Sequence, residues 1–252
     1  MKILGVIPSR YASTRFPGKP LAIINGKPMI WWVYTALKQV QELDDIVIAT
    51  DDQRIYDACR KFSFNVIITK EHANCFYRVH EVSQSLNYDK YLMVNGDEPT
   101  IEPEEINKVI AKSREINPYY LFSYRKFTDP VEVIDTGNMK VIVSNNKLLY
   151  ISRLPIPCPH AKSLFSYKKI VGVQVLSKEA LEFFVNSEPG YIEKIEDIAE
   201  LRWIENKKDI DCIELNSNSI SVDNPRDIEK VEFIIKERAN DERFNFYNSS
   251  SI

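Results

Sequence analysis

Glycine is sparse in this chain, 7 in 252 residues, and none falls in a GxGxxG pattern after the first hydrophobic strand. That fingerprint seats a dinucleotide pyrophosphate on a helix N-terminus, and its absence disfavours a dinucleotide oxidoreductase. Cysteine is sparse too: Cys59, Cys75, Cys158 and Cys212 lie far apart, with no CxxC pair and no histidine at zinc-finger spacing. Such thiols suit a reducing compartment. No apolar run approaches the roughly 20 residues of a membrane helix, and Met1-Lys2 leads straight into ILGVIP, too short for a signal-peptide core. A cytoplasmic protein without membrane contact is expected. A basic surplus is also missing, and the net charge of −3 argues against a general nucleic-acid binder. Repeats and low-complexity segments are absent.

What is present is the composition of an ordinary globular protein, long enough to bury a sizeable core. A single domain is expected over 1–240, with an excursion over 117–168 and a polar tail over 241–252. ILGVIP (3–8) is a continuous apolar run, the mark of a strand buried on both faces. KPMIWWVYTALKQV (27–40) predicts a helix with Pro28 in its first turn. Strands DIVIAT (45–50), NVIITK (65–70) and KYLMVNGDEP (90–99) alternate with helices DQRIYDACRKF (52–62), RVHEVSQSL (78–86) and EPEEINKVIAKSREI (102–116). This alternation predicts an α/β domain with a mostly parallel sheet. Beyond it, NPYYLFSYRKF (117–127) and MKVIVSNNKLLYISR (139–153) predict antiparallel strands, the second a hairpin with Asn145-Asn146 at its tip. PIPCPH (155–160) predicts a loop and KIVGVQVLS (169–177) a strand. Helices follow at KEALEFFV (178–185), IEDIAELRWIENK (195–207) and PRDIEKVEFIIKER (225–238).

The segment after the first strand, SRYASTRFPGKP (9–20), has no helical period, and Pro17, Gly18 and Pro20 break any helix. Arg10, Arg15 and Lys19 can neutralise phosphate oxygens, and Gly18 lets backbone approach closely. Right-handed crossovers set the strand ends Pro8, Thr50 and Asn95 along one rim, where ligands of open α/β sheets bind. Asp51-Asp52 and Asp97-Glu98 fall on the same rim. Asp97 follows Gly96 past a strand, and Asp223 stands in SVDNPRD before a helix. Two hard carboxylates beside phosphate oxygens are what Mg²⁺ uses. An Asp before a helix also serves as an N-cap, the role favoured for Asp52.

The opening PSRYASTRFPGKPLAIINGKPMI resembles the nucleotide-binding loop of the CMP-Kdo synthetases (3-deoxy-manno-octulosonate cytidylyltransferases). ATDD (49–52), VNGDEPTI (94–101), YISRLPIPCP (150–159), ELRWIEN (200–206) and SVDNPRDIEKV (221–231) follow in that family's order. The resemblance implies a Rossmann-like nucleotide-sugar cytidylyltransferase fold and a homodimer joined through the excursion. It implies attack of the anomeric hydroxyl of a 2-keto-3-deoxy sugar acid on the α-phosphate of CTP, releasing pyrophosphate. Arg10, Lys19 and Asp97 would be catalytic, and Pro8, Ser9, Arg10, Arg15, Lys19, Asn74, Asn95 and Gly96 would hold nucleotide. Arg78, Arg153, Gln174 and Glu200 would face a small anionic acceptor, and Asp97 with Asp223 would ligate Mg²⁺. Such chemistry is positioning and charge stabilisation, so it needs no Ser-His-Asp or Cys-His arrangement.

The chain departs from the family pattern where selectivity would reside. The family's Ser-Gly-Thr-(Asp or Glu)-Arg is Asn74-Cys75-Phe76-Tyr77-Arg78, and its VQGDEP carries Asn95 in place of glutamine. Its His-Ile-Gly is Ile170-Val171-Gly172, a tyrosine becomes Gln174, and Glu-Gln becomes Ala199-Glu200. Losing the histidine removes a donor, and glutamine to glutamate leaves a charged acceptor. A carboxylate facing a sugar acid repels it, so Kdo is expected to be a poor acceptor, whereas an amino sugar acid would suit Glu200. A small phosphorylated or phosphonate acceptor, or a non-catalytic nucleotide-binding paralogue, are the alternatives. Glu200 could instead be solvated or paired with Arg202. In the Asn74 segment, Asn74 is expected to replace lost nucleotide contacts, and an aromatic ring either packs against a ligand or enters the core.

Overall fold

The computed structural model describes residues 1–13, 15–160, 166–239, 241 and 244. The first half runs β1 (Ile3–Ser9), a 3-10 turn (Lys19–Leu21), a small hairpin of β2 (Ile23–Ile24) and β3 (Lys27–Pro28), and α1 (Met29–Leu37). It continues through β4 (Asp45–Thr50), α2 (Gln53–Lys61), β5 (Val66–Ile68), α3 (Cys75–Ser85), β6 (Lys90–Val94) and α4 (Pro103–Ile116). The second half has β7 (Tyr120–Lys126), a short α5 (Pro130–Ile134), β8 (Lys140–Ser144), β9 (Lys147–Ser152) and β10 (Lys168–Ser177). It closes with α6 (Lys178–Asn186), α7 (Tyr191–Glu196), α8 (Leu201–Glu205), β11 (Asp211–Glu214) and α9 (Asp227–Arg238).

Nine strands form one sheet in the order β5-β4-β1-β6-β10-β7-β11-β9-β8. The sheet is mixed, which corrects the expectation of a mostly parallel one. β5, β4, β1 and β6 are parallel, because each is followed by a helix that carries the chain back across the sheet. β10 enters between β6 and β7 after the β8–β9 hairpin and runs antiparallel to both. The hairpin turns at Asn145 and Asn146, with φ of 51° and 57°, as a two-residue turn requires. β1 shows how the sheet is covered: Ile3 and Ile7 pack with α1, α4 and α9, while Leu4 and Val6 pack with α3, α6 and Trp203 on the other face. Parallel pairing of Ser9 with Thr50 keeps the expected strand ends on one rim.

Side chains set two helix starts. The Asp52 carboxylate accepts from the backbone of Arg54 at 2.9 Å, so it caps α2. Asn74 accepts from Phe76 and Tyr77 at 3.1 and 3.4 Å, so α3 begins at Cys75, earlier than the apolar period of 78–86 indicates. The single helix expected over 195–207 is instead α7 and α8, separated where Asp197 adopts φ 52°. The polar tail lies almost wholly outside the described residues.

The α7–α8 corner is held by Arg202, which is 2% exposed. Its guanidinium donates to both Glu193 oxygens at 2.8 and 2.6 Å, and to the Phe184 and Ser187 carbonyls at 2.8 and 3.1 Å. Removing one member of a buried pair strands the other charge. Arg202→Met is expected to lower unfolding free energy by about 3–5 kcal/mol in denaturant melts. Adding Glu193→Gln should recover part of it; an unchanged midpoint for the single variant would show the corner held by packing alone.

Candidate functional site

The basic loop and the carboxylates meet at the rim. Gly18, at φ 72°, donates its N–H to the Tyr11 carbonyl at 2.9 Å, turning the loop back on itself. Lys19 Nζ then lies 2.6 Å from Asp97 Oδ2 and 4.0 Å from Asp223 Oδ1. Arg15 Nη2 donates to the same Asp223 oxygen at 2.9 Å. Arg10 stands exposed on the same cavity.

Two backbone arrangements place the carboxylates. At Gly96 a Cβ would sit 2.9 Å from Ser9 Oγ and 3.2 Å from the Pro8 carbonyl, so glycine lets the turn before Asp97 close on β1 without displacing either group. Segment 217–222 is strapped to the turn beyond: Val222 donates to the Asp97 carbonyl at 2.9 Å, and Ile220 to Thr100 Oγ1 at 2.8 Å. The buried Glu98 carboxylate accepts from the Ser219 and Ser221 hydroxyls at 2.5 and 2.7 Å. Adjacent acids thus have different duties, Asp97 facing the cavity and Glu98 fastening the strap. Burial, and then the charge of Asp97, raise the Asp223 pKa, while Lys19 and Arg15 oppose the rise. Two hard carboxylates in such mutual repulsion, both converging on one ammonium, fit a divalent cation that shares phosphate oxygens.

The cavity has a volume of about 810 Å³, within the range of small-ligand sites. Pro8, Ser9, Asn74, Asn95 and Gly96 line it with the cationic loop. Ser9 is 3% exposed, and its buried hydroxyl has no hydrogen-bond partner among the described residues. Asn95 is fixed by its N–H to the Gly172 carbonyl at 2.8 Å and packs on Gly172, where a Cβ would lie 2.9 Å from its side chain. Asn74 Oδ1 is engaged as the α3 cap, which limits what it can offer a ligand. Phe76 is in the core with Tyr120, Phe184 and Trp203, while Tyr77 lines the cavity, its hydroxyl accepting from Arg202 at 2.9 Å.

Arg78, Arg153, Gln174 and Glu200 line the same cavity. Both arginines already have partners. Arg78 bonds Asp51 at 2.8 Å and Thr69 at 2.9 Å. Arg153 donates to the Glu196, Asp197 and Thr136 carbonyls at 2.7, 2.8 and 3.2 Å. Gln174 accepts from the Tyr120 hydroxyl and donates to Glu200 Oε1 at 3.2 Å. Glu200 is neither solvated nor paired with Arg202: it is 7% exposed, and Arg202 belongs to Glu193. Sequence reasoning missed His72, Asn138, Lys169 and Ser221, which also line the cavity. Lys169 stands beside the Ile170 departure and binds Asn138 at 2.7 Å; the motif order pointed to that strand but not to this side chain.

A profile of the cytidylyltransferase family matches residues 4–210. A mitochondrial 3-deoxy-manno-octulosonate cytidylyltransferase of Arabidopsis thaliana is 36% identical, over 94% of this chain and 84% of its own length. The Fusobacterium nucleatum protein of the same activity is also 36% identical, over 94% of this chain and 98% of its own. A CMP:2-keto-3-deoxy-manno-octonic acid synthetase solved with CTP superposes with a TM-score of 0.89 at 31% identity, covering 94% of this chain and all of that one. A 4-diphosphocytidyl-2C-methyl-D-erythritol synthase from Anaerococcus prevotii shares the fold at a TM-score of 0.64 and 15% identity. With its rim of Arg10, Arg15, Lys19, Asp97 and Asp223, the chain belongs to the cytidylyltransferase family.

Proposed function

We propose that the protein transfers CMP from CTP to a 2-keto-3-deoxy sugar acid and releases pyrophosphate. The observation that carries this reading is the convergence of Lys19, Arg15, Asp97 and Asp223 at the rim of the cavity that Ser9 and Asn95 also line. In a resting site Lys19 neutralises Asp97; with CTP present, its ammonium and the Arg10 and Arg15 guanidiniums would turn to the triphosphate. Ser9 and Asn95 would meet the nucleoside. The acceptor's anomeric oxygen attacks the α-phosphorus as the bond to pyrophosphate breaks, and the hydroxyl proton is lost to solvent. Asp97 and Asp223 would hold Mg²⁺, which supplies charge neutralisation and orientation of phosphate oxygens. The CTP complex of the structural relative supports the nucleotide, and the names of the relatives support the acceptor class.

Two further features belong to the proposal. A cytoplasmic setting is supported by four free cysteines, and no helix among the described residues is long and apolar enough to cross a membrane. A homodimer joined by the excursion is supported by exposed Val131, Ile134, Leu149 and Leu154, each more than half exposed there.

Pyrophosphate release is the test of the reaction. Lys19→Ala and Arg10→Ala should each lower kcat/KM about 10²–10³-fold, the loss typical of one preorganised charge-stabilising donor. Wild-type turnover in both would remove them from the cradle. Asp97→Asn and Asp223→Asn should each abolish Mg²⁺-dependent turnover with an unaltered circular dichroism spectrum; a variant retaining full activity and the same Mg²⁺ dependence holds no metal. Sedimentation should give twice the chain mass for the wild type and one chain mass for Leu149→Arg combined with Leu154→Arg. A monomeric wild type would refute the interface.

A further inference from the structure

Glu200 is a buried carboxyl group on the cavity wall that forms no ion pair among the described residues, although the charge of Arg153 acts on it from a distance. Its side chain accepts from its own backbone N–H and from Gln174 Nε2 at 3.2 Å. The cations that could have served are engaged elsewhere. Arg202, two residues away, is bidentate on Glu193. Arg153 is held by three carbonyls, and Lys169 by Asn138 and Glu132 at 2.7 and 3.4 Å.

The hydrogen-bond polarity around Glu200 is fixed from behind. Tyr120 donates to Gln174 Oε1, so the Gln174 amide must present its N–H groups to Glu200. The carboxyl is therefore addressed as an acceptor. Desolvation raises its pKa and the Glu193 charge adds to the rise, while the hydrogen bonds from its own N–H and from Gln174, and the more distant Arg153 charge, oppose it only in part. The Cys75 thiol offers no compensation: burial, and next the charge of Glu200, push it up to about 12, so it stays neutral. A buried carboxylate without a counter-ion is costly, and the cost is recovered when a ligand brings the cation.

We infer that Glu200 sets acceptor specificity, and that the acceptor is a 2-keto-3-deoxy sugar acid carrying a protonated amino group that seats on the Glu200 carboxylate. This rests on the nucleotidyl-transfer reading above. The ammonium would donate to Glu200, with Gln174 fixing the carboxylate, while the acceptor's own carboxylate is left to the cationic loop that lines the same cavity. A parent sugar acid with a hydroxyl at that place leaves the buried charge uncompensated.

The test compares Kdo with a panel in which single hydroxyls are replaced by amines, using wild type and the near-isosteric Glu200→Gln, with pyrophosphate release as the readout. One amino analogue should exceed Kdo by roughly 10²-fold in kcat/KM, in line with the loss when a buried charge pair is deprived of one partner. N-acetylation of that amine should remove the advantage. Glu200→Gln should lower turnover of the amino analogue and raise that of Kdo, narrowing the ratio from both sides. Equal use of Kdo and every analogue by the wild type would overturn the inference, and so would a variant that loses both activities in proportion. Calorimetric CTP titration separates the two failures. If CTP binds and Kdo is used without regard to residue 200, only the role of Glu200 falls; if CTP does not bind, the nucleotidyl-transfer reading falls and this inference with it.

Discussion

Two carboxylates are held against one ammonium at the rim of this sheet, and the rest of the site depends on that arrangement. Like charges at close range repel, and burial adds to the penalty, as the raised Asp223 pKa reflects. The fold overcomes this with backbone rather than side-chain freedom. A glycine lets the turn before Asp97 press on β1, and hydroxyls clamped on Glu98 fasten segment 217–222 alongside. Lys19 and Arg15, which reach Asp97 and Asp223 from 78 and 208 positions away in sequence, then balance the charge. A cation between two acids can be exchanged for one that a ligand brings, and in the function we propose a metal and a triphosphate would take part in that exchange.

Around Glu200 a different rule holds. There the arginines are structural: Arg78, in α3, ties that helix to the ends of β5 and β4 through Thr69 and Asp51, and Arg153 and Arg202 hold the α7–α8 corner. With its cations so engaged, this part of the cavity presents Glu200 and Gln174 to the ligand. The cavity therefore offers both the cationic loop and the Glu200 carboxyl group, a pairing that an acceptor with an anionic and a cationic group matches.

Much of this was legible in the residues. Period and breakers give the parallel half, the Asn145-Asn146 hairpin and the Asp52 cap, because each is a local property of the chain. The likeness of the motif blocks gives the rim, and the structure brings Lys19, Arg15, Asp97 and Asp223 together as their strand-end placement predicts. What was not legible is long-range. The antiparallel course of β10 is decided by where it inserts, between β6 and β7, and no periodicity records that. Segment 195–207 reads as one helix because its apolar residues recur suitably, yet Asp197 turns left-handed and the Glu193–Arg202 pair locks the corner. For the same reason the burial of Glu200 was hidden: linear spacing offers it Arg202, and only the folded corner shows that partner taken.

Nucleotidyl transfer at the α-phosphate of CTP can be followed by phosphorus-31 NMR of the wild-type protein with Mg²⁺, CTP and the amino and hydroxy sugar acids. The three CTP resonances should give way to pyrophosphate and one new phosphodiester signal in equal amounts, only when an acceptor is present. Inert CTP with every acceptor, or its conversion to CDP and inorganic phosphate, would show that no such transfer takes place.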